Sequence, residues 1–168
     1  NESIEAQTIF QSIVEKDSNY FQAWGGLAIV AINEEKYNDA IEMLMWADSL
    51  EPNNLKILHS IVNVYQLMGN KSMMRSYIDK AFDVDENNYQ TLCLAADYSV
   101  SNLEFDTAEA FYQKALSQEK DGFWALAGLG YLYSVSDKHE LAIEFLNKSL
   151  VIEPELQLAK NTLAGIYK

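Results

Sequence analysis

A turn motif recurs along this chain at a fixed interval, and that interval constrains the fold more than any other feature. SLEPNNLK begins at Ser49 and DVDENNYQ begins at Asp83. The corresponding segments SQEKDGFW and VIEPELQL begin at Ser117 and Val151, each after the same interval. Self-similarity at a constant period of roughly 20 to 50 residues is the signature of stacked repeats.

Each unit, counted from Phe21 and its equivalents, has two stretches with helical spacing. Apolar or small residues occupy positions 4, 7, 8 and 11, and again positions 20, 24 and 27. Breaker zones around Met68–Lys71 and Ser136–Lys138 separate the two stretches. Pro52 and Pro154 cannot lie in a helix interior, and the neighbouring asparagine pairs can end one helix and cap the next. We therefore predict a unit of helix A, turn, helix B, turn.

The same positions carry a family resemblance. Its closest copy comprises Trp24, Leu27, Ala28, Ala40, Leu44, Ala47 and Pro52. A second copy comprises Leu126, Leu129, Gly130, Tyr133, Ala142, Leu146 and Pro154. This pattern resembles the tetratricopeptide repeat, with Met74 and Lys160 as departures from it. The resemblance implies an all-α fold, a right-handed α-solenoid of stacked antiparallel helix pairs.

The register of the repeat predicts the organisation of the whole chain as a single array. Residues 1–20 would hold helix B of a truncated repeat, and residues 157–168 helix A of another or a capping helix. The full repeats are expected at 21–54, 55–88, 89–122 and 123–156. We expect the parent protein to continue on at least one side.

Composition excludes several classes of partner. The chain has 25 acidic against 12 basic residues and a net charge of −13. A nucleic-acid binder needs basic residues for phosphate contacts, so we expect no nucleic acid. The long uncharged run near Phe123–Ser136 is too short and interrupted for membrane insertion. Cytoplasmic and periplasmic locations both stay open, since a single cysteine, Cys93, fits either.

In the resembled family, the A helices line a concave groove through positions 2, 5, 6, 9, 12 and 13. The resemblance places these groove residues here: Asn33, Lys56, His59, Asn63, Gln90, Cys93, Asp97, Trp124 and Tyr131. Such a mixture of polar, aromatic and small side chains suits a peptide or a partner protein. Lys56 is the only basic residue in this set, so we expect the ligand to be apolar or basic. The clamp by which some family members hold acidic chaperone tails has no counterpart at Gly25, Ile29, Ser60, Gln90 and Leu94.

Several residues have a side-chain chemistry that could serve catalysis, metal binding or packing. Cys93 and Asp97 share a helical face that His59 could approach, but no oxyanion donor accompanies them, and we expect no catalytic site. His59 and His139 fall on different helix types, so neither a metal nor a cofactor is expected. Trp46 is either an apolar contact on the convex side or, as we favour, a ring folded over a neighbouring helix.

The sequence therefore predicts a non-catalytic scaffold for protein–protein interaction. One alternative is a self-assembly module of a bacterial envelope or secretion system, a homo-oligomer joined through Ile4, Ile9 and Ile13. Another is the docking domain of a larger enzyme. Scarce arginine with abundant asparagine and lysine suggests a bacterial origin.

Overall fold

The computed structural model describes residues 2–167, and across that range every regular element is an α-helix. The ten helices are α1 (Glu2–Lys16), α2 (Phe21–Asn33), α3 (Tyr37–Leu50), α4 (Leu55–Leu67), α5 (Lys71–Val84), α6 (Tyr89–Ser101), α7 (Phe105–Gln118), α8 (Phe123–Val135), α9 (His139–Ile152) and α10 (Gln157–Ile166). Helices α2, α4, α6, α8 and α10 begin at equal intervals along the chain, and the interval is that of the turn motif. The all-α repeat fold predicted from the sequence is confirmed.

The helices form two compact units, Asn1–Val84 and Asp85–Lys168. In the first unit α1 packs on α2, and each later helix packs on the one before it. In the second unit α6 packs on both α7 and α8, and α10 packs on both α8 and α9. Within residues 2–167, no helix has the length and apolar character needed to cross a bilayer.

Small residues let the paired helices approach closely. Alanines without solvent exposure occupy these contacts: Ala28, Ala40, Ala47, Ala96, Ala108, Ala115 and Ala142. In the pair α8–α9 the space that a side chain at Gly130 would need is taken by Leu146. Larger apolar side chains fill the remaining volume, which gives the dense interior expected of a packed core. Met74, which stands where the other pairs have alanine, is also buried.

The turn from helix A to helix B has the same backbone geometry in all four pairs. A residue with positive φ follows each A helix: Glu35 (59°), Gly69 (68°), Leu103 (62°) and Asp137 (57°). The next amide donates to the carbonyl five residues back, as from Lys36 to Ala31 at 2.8 Å and from Glu104 to Ser99 at 2.9 Å. This is the Schellman arrangement that ends helices in a left-handed residue.

The turn from helix B to helix A is closed by asparagine caps in two places. The Asn54 side chain accepts a hydrogen bond from the Lys56 amide at 3.1 Å, at the start of α4. Asn88 accepts from the Thr91 amide at 3.0 Å, at the start of α6. These contacts satisfy amide groups that a helix start otherwise leaves without partners, and they confirm the predicted capping role of the asparagines.

Candidate functional site

An open groove of ≈ 820 Å³ lies in the first unit, along the side of α2 and α4 that carries the predicted ligand-facing positions. We call this side of the A helices the A-helix face. Helix α2 contributes Gln22, Gly25, Gly26 and Ile29, and α4 contributes Lys56 and Ser60. Phe10 of α1 and Leu44 of α3 close the groove from below.

Two adjacent glycines line this groove, and the space beside each of them differs. The space above Gly26 is filled by the ring of Phe10, so a side chain there would clash. Nothing lies within 4 Å of where a side chain at Gly25 would begin. A ligand can therefore approach the α2 backbone closely at Gly25, and the exposed residues Ile29 and Lys56 line the same groove.

The four residues predicted as ligand contacts in this unit have different surroundings. Lys56 is exposed and lines the groove, whereas Asn33 and Asn63 are exposed outside its lining. His59 is only 3% exposed. His59 therefore packs beneath the A-helix face, whereas Lys56 lines the groove.

Asp97 lies on α6 in the second unit and is partly buried. The hydroxyl of Tyr112 donates to its Oδ1, and Nε1 of Trp124 donates to its Oδ2 at 3.2 Å. Burial raises the pKa of the Asp97 carboxyl above its ordinary value, and the two hydrogen bonds act in the opposite direction. Both donors are neutral, so the carboxylate is oriented by its partners without being neutralised.

Cys93 lies one helical turn before Asp97 and is 2% exposed. Burial raises the pKa of its thiol to about 12, although a hydrogen bond with Tyr89 acts against this. Tyr89 in turn accepts a hydrogen bond from the Ala125 amide at 3.1 Å, which ties α6 to α8. A protonated, buried thiol is a poor nucleophile, so this environment gives Cys93 a packing role.

Helix α8 presents two exposed aromatic rings, and one of them, Trp124, bonds to Asp97. Trp124 and Tyr131 are 38% and 37% exposed, and their separation of about two helical turns places them on one face of the helix. Gly128 lies between them, and the ring of Tyr112 fills the space that a side chain there would need. Gln90 is exposed on α6. A second groove of ≈ 390 Å³ runs from Tyr131 to α10.

Trp46 lies on α3, away from these grooves. Its ring centroid is 5.9 Å from that of Trp24, with the two planes tilted by 56°. Trp24 is held in place by a hydrogen bond from Nε1 to the Ser18 carbonyl at 2.9 Å. The Trp46 ring thus packs over the neighbouring helix, as favoured from the sequence, while half of its surface stays exposed.

Sequence reasoning overlooked Tyr112 as part of the site, because it stands on helix B at a position where a large core residue is expected. Its residue type could have indicated this role, since a buried tyrosine needs a hydrogen-bond partner for its hydroxyl. Asp97 is that partner. Across residues 2–167, histidine, cysteine and acidic side chains do not converge in groups of three or more that could hold a metal ion.

Comparison with known proteins matches both the sequence and the fold. A family model described as tetratricopeptide repeat matches residues 55–88. The peroxisomal targeting signal receptor of Yarrowia lipolytica is 26% identical over 170 residues, an alignment that covers 96% of this chain and 28% of the receptor. The chain thus spans little more than a quarter of the length of that curated relative.

Two solved structures show the same arrangement of helices. TTC0263, a tetratricopeptide repeat protein of Thermus thermophilus, superposes with a TM-score of 0.81 at 19% identity, covering 98% of this chain and 90% of its own. YrrB, a tetratricopeptide repeat protein with an unusual peptide-binding site, gives a TM-score of 0.65 at 22% identity, covering 96% and 83%. Residues 55–88 thus match a tetratricopeptide repeat, and helices that recur at the same period give the chain a fold similar to that of tetratricopeptide repeat proteins.

Proposed function

We propose that the chain is a non-catalytic scaffold that binds a peptide segment of a partner protein along its A-helix face. The observation that carries the proposal is the open groove in the first unit, which Ile29 and Lys56 line and in which the α2 backbone is accessible at Gly25. A mostly apolar groove with a few polar groups suits an extended or helical segment that contributes apolar side chains.

The comparisons support binding as the role of this fold. Tetratricopeptide repeats suggest a protein–protein interaction scaffold, and YrrB carries a peptide-binding site. The peroxisomal targeting signal receptor is by its name a binding protein as well. The class of ligand we propose, apolar or basic, comes from this chain's own groove residues.

A synthetic peptide library tests the proposal, with Ile29→Glu as the groove variant. The charge should weaken binding of the peptides selected by the unmodified protein by about tenfold or more, because an ionised side chain disfavours apolar contact. Fluorescence anisotropy measures these affinities. Val151→Glu is the matched control, since Val151 is an exposed aliphatic residue on α9. Equal affinity of both variants and the unmodified protein would contradict the groove, and hits dominated by acidic residues would contradict the ligand class.

Self-assembly is the second candidate, and exposed Ile4 and Ile9 on α1 favour it. A contact through these side chains would bury apolar surface that is otherwise in water. Light scattering of the chain at rising concentration should then show a mass above the monomer, and Ile9→Glu should return it to the monomer. A monomer at every concentration would remove this candidate and leave the peptide groove.

A further inference from the structure

The second unit holds a carboxylate to which α6, α8 and α10 supply no counter-ion. The two donors to Asp97, Tyr112 and Trp124, are both neutral. Neither α6 nor α8 contains a lysine or an arginine. The α10 residue Lys160 binds Glu155 at 2.7 Å. On α7, which supplies Tyr112, Lys114 donates to the Glu86 carbonyl at 3.0 Å. The largely buried Asp97 carboxyl thus has two neutral donors and no bond to a cation of these helices, and an ionised carboxylate so placed is costly unless a partner supplies a cation.

The geometry around this carboxylate leaves room for further donors. An ionised carboxylate offers about four lone-pair sites. Tyr112 uses one on Oδ1 and Trp124 uses one on Oδ2. Each oxygen thus keeps acceptor capacity, and Asp97 retains some solvent exposure through which a ligand can reach it.

The aromatic face of α8, from which Trp124 bonds to Asp97, suits the rest of a long basic side chain. Trp124 and Tyr131 present exposed rings on the same face of α8. Aromatic faces attract ammonium and guanidinium groups, and they also pack against the aliphatic stems of lysine and arginine. An acidic ligand would meet the opposite conditions, since two negative charges at short range repel strongly where solvent screening is weak.

We propose that Asp97 recognises a lysine or arginine side chain of the bound peptide, with Trp124 and Tyr131 holding its stem. This inference rests on the proposed peptide-binding function and adds a charge specificity to it. The basic side chain would reach one face of the second unit while its neighbours in the peptide follow the A helices. A charged pair of this kind contributes mainly to specificity, because a ligand lacking the cation leaves the carboxylate unpaired.

Selection from a synthetic peptide library followed by a double-mutant cycle tests the inference. The unmodified protein should enrich lysine or arginine at one position, and replacing that residue by methionine should weaken binding by about tenfold. In Asp97→Asn the same replacement in the peptide should change affinity by less than about twofold. Asp106→Asn is the matched control, since it removes one negative charge from an exposed position on α7.

Asp97→Asn could also reduce the preference for a basic residue by destabilising the fold. Trp124→Phe is a second variant that leaves the carboxylate in place. The phenylalanine variant keeps the carboxylate and an aromatic ring but removes the N–H donor, so its preference for a basic residue should persist. Circular dichroism of both variants shows whether the helices are retained. If Asp97→Asn unfolds, the lysine-to-methionine comparison is made on Trp124→Phe, where a loss of the preference would overturn the inference.

The outcomes distinguish a failure of this inference from a failure of the proposed peptide-binding function. Peptides that bind without any enriched basic residue would overturn the role of Asp97 and leave the peptide-binding function standing. A preference for basic residues that is equally strong in Asp97→Asn would place the recognition elsewhere. If no library peptide binds the unmodified protein, the proposed function itself fails.

Discussion

Gly128 shows how a single missing side chain organises the centre of the second unit. The Tyr112 ring occupies the space beside Gly128 and from there reaches Asp97. A methyl group at Gly128 would push against the ring and displace the tyrosine hydroxyl from the carboxylate. The glycine is therefore required by packing, with no contribution from unusual backbone angles.

Gly128→Ala and Gly25→Ala should shift stability in opposite directions. We expect Gly128→Ala to lower the free energy of unfolding by about 1–3 kcal/mol, since it overpacks a dense contact. Gly25→Ala should raise it by about 0.5–1 kcal/mol, because nothing lies near the added methyl and alanine favours the helix. Chemical denaturation measures both. Equal effects in the two variants would contradict the close contact with Tyr112.

The raised pKa of Asp97 predicts how stability depends on pH. A carboxyl whose pKa is higher in the folded state than its ordinary value of 3.8 binds more protons folded than unfolded between those two values. The shift therefore lowers stability at pH values above this window, and that loss disappears as the pH falls through it. The unmodified protein should gain free energy of unfolding relative to Asp97→Asn on acidification.

Tyr112→Phe provides the second arm of the pH experiment. The Tyr112 hydrogen bond favours the charged carboxylate, so its loss should move the window to higher pH. Denaturation at a series of pH values measures all three proteins. Parallel profiles for the unmodified protein and Asp97→Asn would show that Asp97 has no shifted pKa.

At the scale of the elements, the four turns from helix A to helix B share a left-handed residue, and only one of them is glycine. Gly69 adopts this conformation without steric cost, whereas Leu103 adopts it at φ 62° with a side chain that is 75% exposed. A non-glycine residue in this region is disfavoured by roughly 1–2 kcal/mol.

Exchanging the left-handed residues of these turns tests how much their backbone conformation contributes to stability. Leu103→Gly should leave stability unchanged or raise it by up to about 1 kcal/mol, since relief of the left-handed strain offsets the greater freedom of the unfolded chain. Gly69→Leu should lower stability by about 1 kcal/mol because of its left-handed backbone, although nothing lies within 4 Å of where the added Cβ would lie. Thermal or chemical denaturation measures both. A loss of more than about 2 kcal/mol in Leu103→Gly would point to apolar contacts of this leucine, since that is the scale of a lost buried side chain.

These turns also show how far the sequence could predict the structure. The breaker zones predicted where helices end, because asparagine, glycine and proline carry local backbone preferences. Nothing in the residue type could predict a left-handed conformation at Leu103, since the Schellman hydrogen bonds impose it. The constant period indicates which face of a helix a residue lies on, but not how far its side chain is buried. Cys93 and His59 were therefore predicted as ligand contacts, and both side chains lie buried. The bond between Tyr112 and Asp97 joins two helices and has no local signature.

At the scale of the whole molecule, stability must come from stacking, since the helices contain 10–15 residues and isolated helices of that length are marginal in water. Residues 1–54 include α1 to α3 but lack α4, on which α3 packs. We expect this fragment to be poorly helical by circular dichroism. Residues 1–84, the complete first unit, should be more helical and unfold more cooperatively. Full and cooperative folding of residues 1–54 alone would contradict the stacking argument.

The buried thiol of Cys93 has a practical consequence for kinetics. Because the chain has a single cysteine with a raised pKa, a thiol reagent can modify it only when the α6 region transiently opens. The labelling rate in native buffer therefore measures the opening frequency of this part of the second unit without any engineered probe. A ligand that binds at Asp97, one turn along the same helix, should slow the labelling in proportion to its occupancy. The labelling rate of the buried Cys93 thiol would then report occupancy of the proposed site at Asp97.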